Sequence, residues 1–180
     1  ILLYLATART NKSESVFVEK EVLSVPIWKN PIAWLIAIFN FLHVGMESGI
    51  GGWLTTYSAR FSDDDLKTIS ATPIFFLLFV IGRLFSPFTV RLFSENTFIL
   101  LSLFVITSGI SVIIFAVSYP LLLIGAGILG FGTSAVFPTN MARFTKFFGE
   151  GATRNATPIF VMGSLGGAFT TWFIGVVSNY

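Results

Sequence analysis

The chain has no cysteine, and in its 180 residues charged side chains make up only 11%. Without cysteine, disulfides and thiolate metal sites are excluded. A soluble domain averages about 25% charged residues, so this chain has too little charge to wet a globular surface. It has a single histidine, which removes any histidine-rich metal cluster. The net charge is only +2, and no basic run is interleaved with aromatics, so nucleic acid is not an expected partner. What the chain has in abundance is apolar. Hydrophobic residues make up 54% of it, 21 residues are phenylalanine, and mean hydropathy is +0.82.

That surplus is organised in long runs. A hydrocarbon core of about 30 Å needs roughly 20 apolar residues per helical crossing. No Asp, Glu, Lys or Arg occurs between Glu95 and Arg143, which is room for two crossings, with Pro120 in "VSYPLLLIG" marking the turn between them. The segment from Asn155 to Tyr180 is also uncharged. Pro31–Ala59 carries only Glu47, and Ile69–Val90 only Arg83, near its far end. The expected architecture is therefore all-α, a polytopic membrane bundle with crossings at about 31–59, 69–90, 97–119, 121–142 and 156–178. Residues 1–8, "ILLYLATA", are too short to span and lack the basic flank of a signal peptide. They read as the end of a further helix, so the chain reads as a fragment.

Loop charges predict the orientation. With 9–30 in the cytoplasm, that side collects Arg9, Lys12, Lys20, Lys29, Arg91, Arg143, Lys146 and Arg154, and the other side only Arg60 and Lys67. The positive-inside rule selects this arrangement, with loops 9–30, 91–96 and 143–155 cytoplasmic. The 9–30 segment is a polar linker, and Trp28 suits an interfacial anchor. In "SDDDLK" (Ser62–Lys67), Ser62 and Asp65 fit a capping box, the acids favouring a helix N-terminus. Small residues recur at spacing four, as Gly163, Gly167, Thr171 and Gly175 and as Ala126, Gly130 and Ser134. Such rows let helix backbones approach closely in lipid.

One helix carries chemistry. In "FLHVGMESGIGGW" (Phe41–Trp53), Asn40, His43, Glu47 and Gly51 fall within roughly 80° of one another on a helical wheel, with Gly45, Gly49 and Gly52 opposite. Charge at the bilayer centre costs at least about 2.5–3.5 kcal/mol and normally faces a cavity. Two readings follow. His43 and Glu47, one turn apart, either satisfy each other or a neighbouring helix structurally, or line a cavity that binds a polar solute or carries a proton. Three glycines in Gly49–Gly52 favour an unwound segment, which is tolerated at depth only beside a cavity. Trp53 and Tyr57 offer a flat face for a sugar ring or an interfacial anchor. Arg83 reads either as a gate contact to helix-end carbonyls or as a snorkelling arginine. Thr139 and Asn140 face the cavity or satisfy backbone groups freed by Pro138.

Several stretches resemble the C-terminal half of a major facilitator superfamily transporter, particularly its fucose-permease-like sugar branch. "VGMESGIGGWLTTY" (Val44–Tyr57) resembles that branch's seventh helix. "IGRLFSPFTVRL" (Ile81–Leu92) resembles the Gly-Arg-Leu signature between helices eight and nine. "GFGTSAVFPTNMARF" (Gly130–Phe144) and "GSLGGAF" (Gly163–Phe169) resemble helices ten and eleven. The signature departs from the family pattern in having Arg91 but no acid before Glu95.

The resemblance implies two six-helix bundles that rock about a solute held between them. This chain would be the C-terminal half, truncated before helix twelve: 1–8 ending helix six, 9–30 the central loop, and 31–180 the five-helix bundle. Its partners would be a small polar solute, most simply a sugar, with protons as a candidate co-substrate, the lipid bilayer, and the missing N-terminal half. The setting would be the plasma membrane. Gly82, Arg83 and Arg91 would form the gating loop. The expectation is a carrier, not an enzyme, with no metal and no cofactor. The alternatives are a non-transporting receptor on a transporter fold and a membrane-embedded enzyme using His43 and Glu47.

Overall fold

The computed structural model describes residues 27–61 and 70–178, and of residues 90–92 and 150 only the backbone. The helix end expected at 1–8, most of the 9–30 linker and the Ser62–Asp65 cap lie outside the described residues. Six α-helices follow: α1 (Pro31–Ser58), α2 (Thr72–Leu92), α3 (Glu95–Ile114), α4 (Tyr119–Thr133), α5 (Val136–Phe148) and α6 (Thr157–Val177). No strand occurs among the described residues.

Helix starts follow local chemistry. Proline occupies the first turn of α1, α2, α4 and α6, where its missing N–H costs nothing. The Asn30 side chain accepts from Ile32 N (2.9 Å), and the Ser94 hydroxyl accepts from Thr97 N (3.2 Å). Pro120 therefore opens α4, and the turn expected at that proline comes earlier, at 115–118. Pro87 lies inside α2 and cannot donate to the Arg83 carbonyl, but the Ser86 hydroxyl does so at 3.0 Å. That helix continues. Pro138 has the opposite outcome. The expected single crossing at 121–142 is two helices, α4 and α5, interrupted at Ser134–Ala135, where the proline ring conflicts with the carbonyl four residues before it.

With α4 and α5 counted as one crossing, five segments are long and apolar enough to span a membrane: Pro31–Phe61, Thr72–Thr89, Glu95–Ile114, Tyr119–Phe148 and Thr153–Val177. The expected crossing at 97–119 is thus shorter, ending at Ile114. Leu35, Leu84, Phe88, Leu100, Phe104 and Trp172 are all more than 60% exposed, an apolar exterior suited to lipid rather than water.

Packing is backbone-close. Helix α1 lies along α6, α4 packs on both α2 and α3, and α5 returns to α1. A β-carbon at Gly166 would strike the Phe41 carbonyl, and one at Gly130 the Phe75 carbonyl. At Gly109 it would lie 2.7 Å from Leu129 N. The row of Ala126, Gly130 and Ser134 does face another helix, α2. The row on α6 holds only in part. Gly163 and Gly167 meet Val44 and Ser48, Gly175 meets nothing, and the tightest contact belongs to Gly166 between them.

The connections alternate between two ends of the bundle. At one end Trp28 Nε1 donates to Asn155 O (3.1 Å), Trp34 Nε1 donates to Trp28 O (2.9 Å), and Lys146 Nζ pairs with Glu95 Oε1 (3.1 Å). At the other, the Thr55 hydroxyl bonds Ser70 and Thr72, and Ala71 N donates to the Ser58 hydroxyl. Trp28 is thus a clasp between segments as well as an end marker. The absence of native cysteine makes a direct test simple. Cysteines placed at Lys146 and Arg154 are expected to react with an impermeant thiol reagent from one face of the membrane, and one at Arg60 only from the other. Labelling of Lys146→Cys and Arg60→Cys from the same face would overturn the crossing order.

Candidate functional site

The break between α4 and α5 organises the polar interior. A proline at 138 has no N–H for the Ser134 carbonyl, and Arg83 Nε donates to that oxygen at 3.2 Å. Gly82, next to it, allows the approach, since a β-carbon there would overlap the Ser134 hydroxyl. The guanidinium carbon lies 4.3 Å from the centre of the Phe79 ring, a cation–π contact. Thr139 spends its hydroxyl on the Ala135 carbonyl (2.7 Å), which also accepts from the Thr139 N–H (3.1 Å), so the hydroxyl is bound within its own helix.

The polar face of α1 packs against this break. Asn40 is fully buried, and its Oδ1 accepts from Asn140 Nδ2 (3.1 Å), which also reaches the Ile36 carbonyl (3.2 Å). His43, 5% exposed, sits against the Thr133 backbone and stacks nearly parallel to Phe39, ring centres 6.3 Å apart. Its Nε2 is 3.8 Å from Glu47 Oε2. That is an ion-pair distance but too long for a hydrogen bond. Consequently His43 Nε2 and Asn40 Nδ2 are buried without a hydrogen-bond partner among the described residues. Buried polar atoms are normally paired, so two unpartnered ones on one helix face, beside a carboxyl, make this the most polar part of the interior described. His43 and Glu47 thus do not hydrogen-bond each other directly, while His43 also meets the neighbouring helix at Thr133.

Arg83 belongs to the same level. It lies eleven residues into α2, and Glu47 lies eleven residues before the end of α1; those two helix ends are tied together by hydrogen bonds. At 1.5 Å per residue both sit about 16 Å from that end, and Arg83 is about 9 Å from the Thr89 end of its membrane-length segment. Arg83 is therefore not near a helix end, and Gly82 and Arg83 lie within α2 rather than in a loop. The Arg91 backbone is helical as well.

The remaining expected residues divide. Trp53 is exposed on the outside of α1, away from the polar face. Tyr57 anchors the helix end, its hydroxyl 3.5 Å from the Ile113 carbonyl and its ring beside Phe61 and Arg60. Neither joins the cluster. The glycine-rich segment does not unwind, because α1 is continuous to Ser58. Neighbours fill those positions instead: Thr170 and Ile174 at Gly49, and Phe76 at Gly51, while Gly52 meets open space. The Ser134 carbonyl was not among the expected groups. Counting back four residues from Pro138 would have found it. A cleft of about 380 Å³ opens beside the cluster towards the Trp28 end, lined by Ile36, Phe39, Asn140, Arg143 and Phe147 among others.

Comparison of the chain with protein-family models, curated proteins and solved structures finds no match.

Proposed function

We propose that this chain is the C-terminal half of a carrier of the major facilitator type, moving a small polar solute across the membrane by alternating access. The observation that carries this reading is the mid-membrane cluster of unpartnered polar groups, Asn40 Nδ2 and His43 Nε2, with the Glu47 carboxyl one turn on. Groups of this kind at the bilayer centre are costly and mark solute or proton pathways. A helix broken at Ser134–Ala135 beside them fits the discontinuous helices that form transporter binding sites. Asn40, His43 and Glu47 bind the solute, Asn140 fixes Asn40, and Glu47 carries the coupling proton. The basic residues near the Trp28 end, Lys29, Arg143, Lys146 and Arg154, orient that end to the cytoplasm of the plasma membrane.

Counterflow in liposomes containing the full-length protein tests this. Transient accumulation of labelled solute against its gradient is the expected result. Chemical conversion of the solute, or saturable binding with no flux, would replace the carrier by an enzyme or a receptor.

A further inference from the structure

We infer that Arg83 is the recognition residue for a carboxylate on the solute, so that the cargo is an acid of the polyhydroxy type rather than a neutral sugar. The inference rests on the carrier reading above and sharpens it. An arginine has five N–H donors in a planar fork. Arg83 uses one of them, Nε, on the Ser134 carbonyl, and no other hydrogen bond or ion pair engages it among the described residues. The Nε bond and the Phe79 ring hold the side chain from behind and fix the plane of the fork. Arg83 as a whole is exposed, and its two amino groups make no hydrogen bond to the described residues. The edge they form is the one that binds a carboxylate through two parallel hydrogen bonds.

Phe76, two turns away on nearly the same side of α2, packs at Gly51 of α1, so Arg83 stands on the side of α2 turned towards α1 and its polar face. The titratable groups on α1 at this level are His43 and Glu47, and only Glu47 carries a formal negative charge when ionised. Helices α3 and α4 and the first turn of α5, up to Asn140, carry no charged residue beyond Glu95 at the bundle end. Glu47 makes no ion pair with Arg83 within 4.0 Å. The site thus combines a pre-oriented, unpaired guanidinium with an amide donor at Asn40 and an imidazole nitrogen at His43. The first suits a carboxylate, and the others suit hydroxyl groups. A carboxylate from the other half of the carrier would satisfy the same fork, and the test separates the two sources.

The test uses the purified full-length protein and pairs of probes alike in size: D-gluconate against D-glucitol, and D-glucuronate against D-glucose. Thermal protection and inhibition of counterflow are measured for each. The acid of each pair is expected to protect and compete, and its neutral counterpart to do neither. In Arg83→Lys, which keeps the charge but loses the fork, apparent affinity for the acids should fall roughly tenfold or more. Protein that folds but shows no acid preference overturns the inference. So does a panel in which neutral members protect equally or no acid protects. A ligand-free Arg83→Gln protein that melts early while neutral sugars still move in the wild type assigns the fork to an internal carboxylate, and leaves the carrier standing. Acids that protect without flux keep the recognition role and remove the carrier.

Discussion

Replacing Gly166 with leucine is expected to abolish folded protein, while the same change at Gly175 should leave yield and melting temperature near wild type. The difference lies in what each α-carbon faces. A side chain at Gly166 would enter the space of the Phe41 carbonyl, which belongs to the backbone of α1 and cannot rotate away. At Gly175 nothing lies within 4 Å. Overpacking a well-filled site costs about 1–3 kcal/mol when side chains can adjust, and here they cannot. Helices α1 and α6 would have to separate along their length, losing the contacts of Gly45 and Gly49 with Thr170 as well. Gly167 is more forgiving, since its nearest neighbour is the Ser48 hydroxyl at 2.9 Å, a group that turns about one bond. Yield and thermal stability of the three leucine variants give the ranking. Normal melting of Gly166→Leu would mean that α6 does not pack on α1 in this way.

The sequence spoke clearly wherever a single residue type decides the outcome. Long runs with at most one charge located the five segments that, among the described residues, are long and apolar enough to cross a membrane, because a membrane tolerates few alternatives to an apolar helix. The period of α1 put Asn40, His43 and Glu47 on one face, and that face does meet the helix break. Glycines were harder to read. Spacing marked Gly45 and Gly49 correctly, but Gly52 and Gly175 share that spacing and touch nothing, while Gly166 breaks the pattern and makes the closest contact. Periodicity names a helix face, and only the neighbour's backbone decides which glycine on it is required. Prolines show the same limit. Pro87 and Pro138 look alike in the chain, yet Ser86 supplies a substitute donor for the carbonyl freed by Pro87, and α2 continues. For Pro138 the substitute is Arg83, a residue 51 positions away, and no local pattern contains that partnership. The functional cluster was half legible for this reason: the α1 side could be read from spacing, and the α2 and α4 sides depend on how three helices meet.

Glu47→Gln is expected to abolish accumulation against a gradient while leaving solute exchange largely intact. The amide keeps the size and shape of a protonated carboxyl but can neither release nor take a proton. Exchange needs only a site that binds and reorients, whereas accumulation driven by protons needs a group that gives up its proton on one side. Charge balance around Arg83 makes the same demand. With no solute bound, an ionised Glu47 offsets the guanidinium at the same depth. Once a carboxylate occupies Arg83, a proton on Glu47 restores neutrality, and a cluster of net charge at the bilayer centre is avoided. The glutamine variant is held in the second state. His43, whose Nε2 lies 3.8 Å from the carboxyl, is close enough to tune its charge, so His43→Ala should shift the pH profile of uptake rather than remove exchange. A purely structural pair predicts otherwise. Removing either partner would then leave a buried group unsatisfied at about 1–3 kcal/mol, and both variants would melt early with transport lost in proportion to folded protein. Folded Glu47→Gln that still concentrates its solute, with an unchanged pH profile, would end the coupling role of this residue.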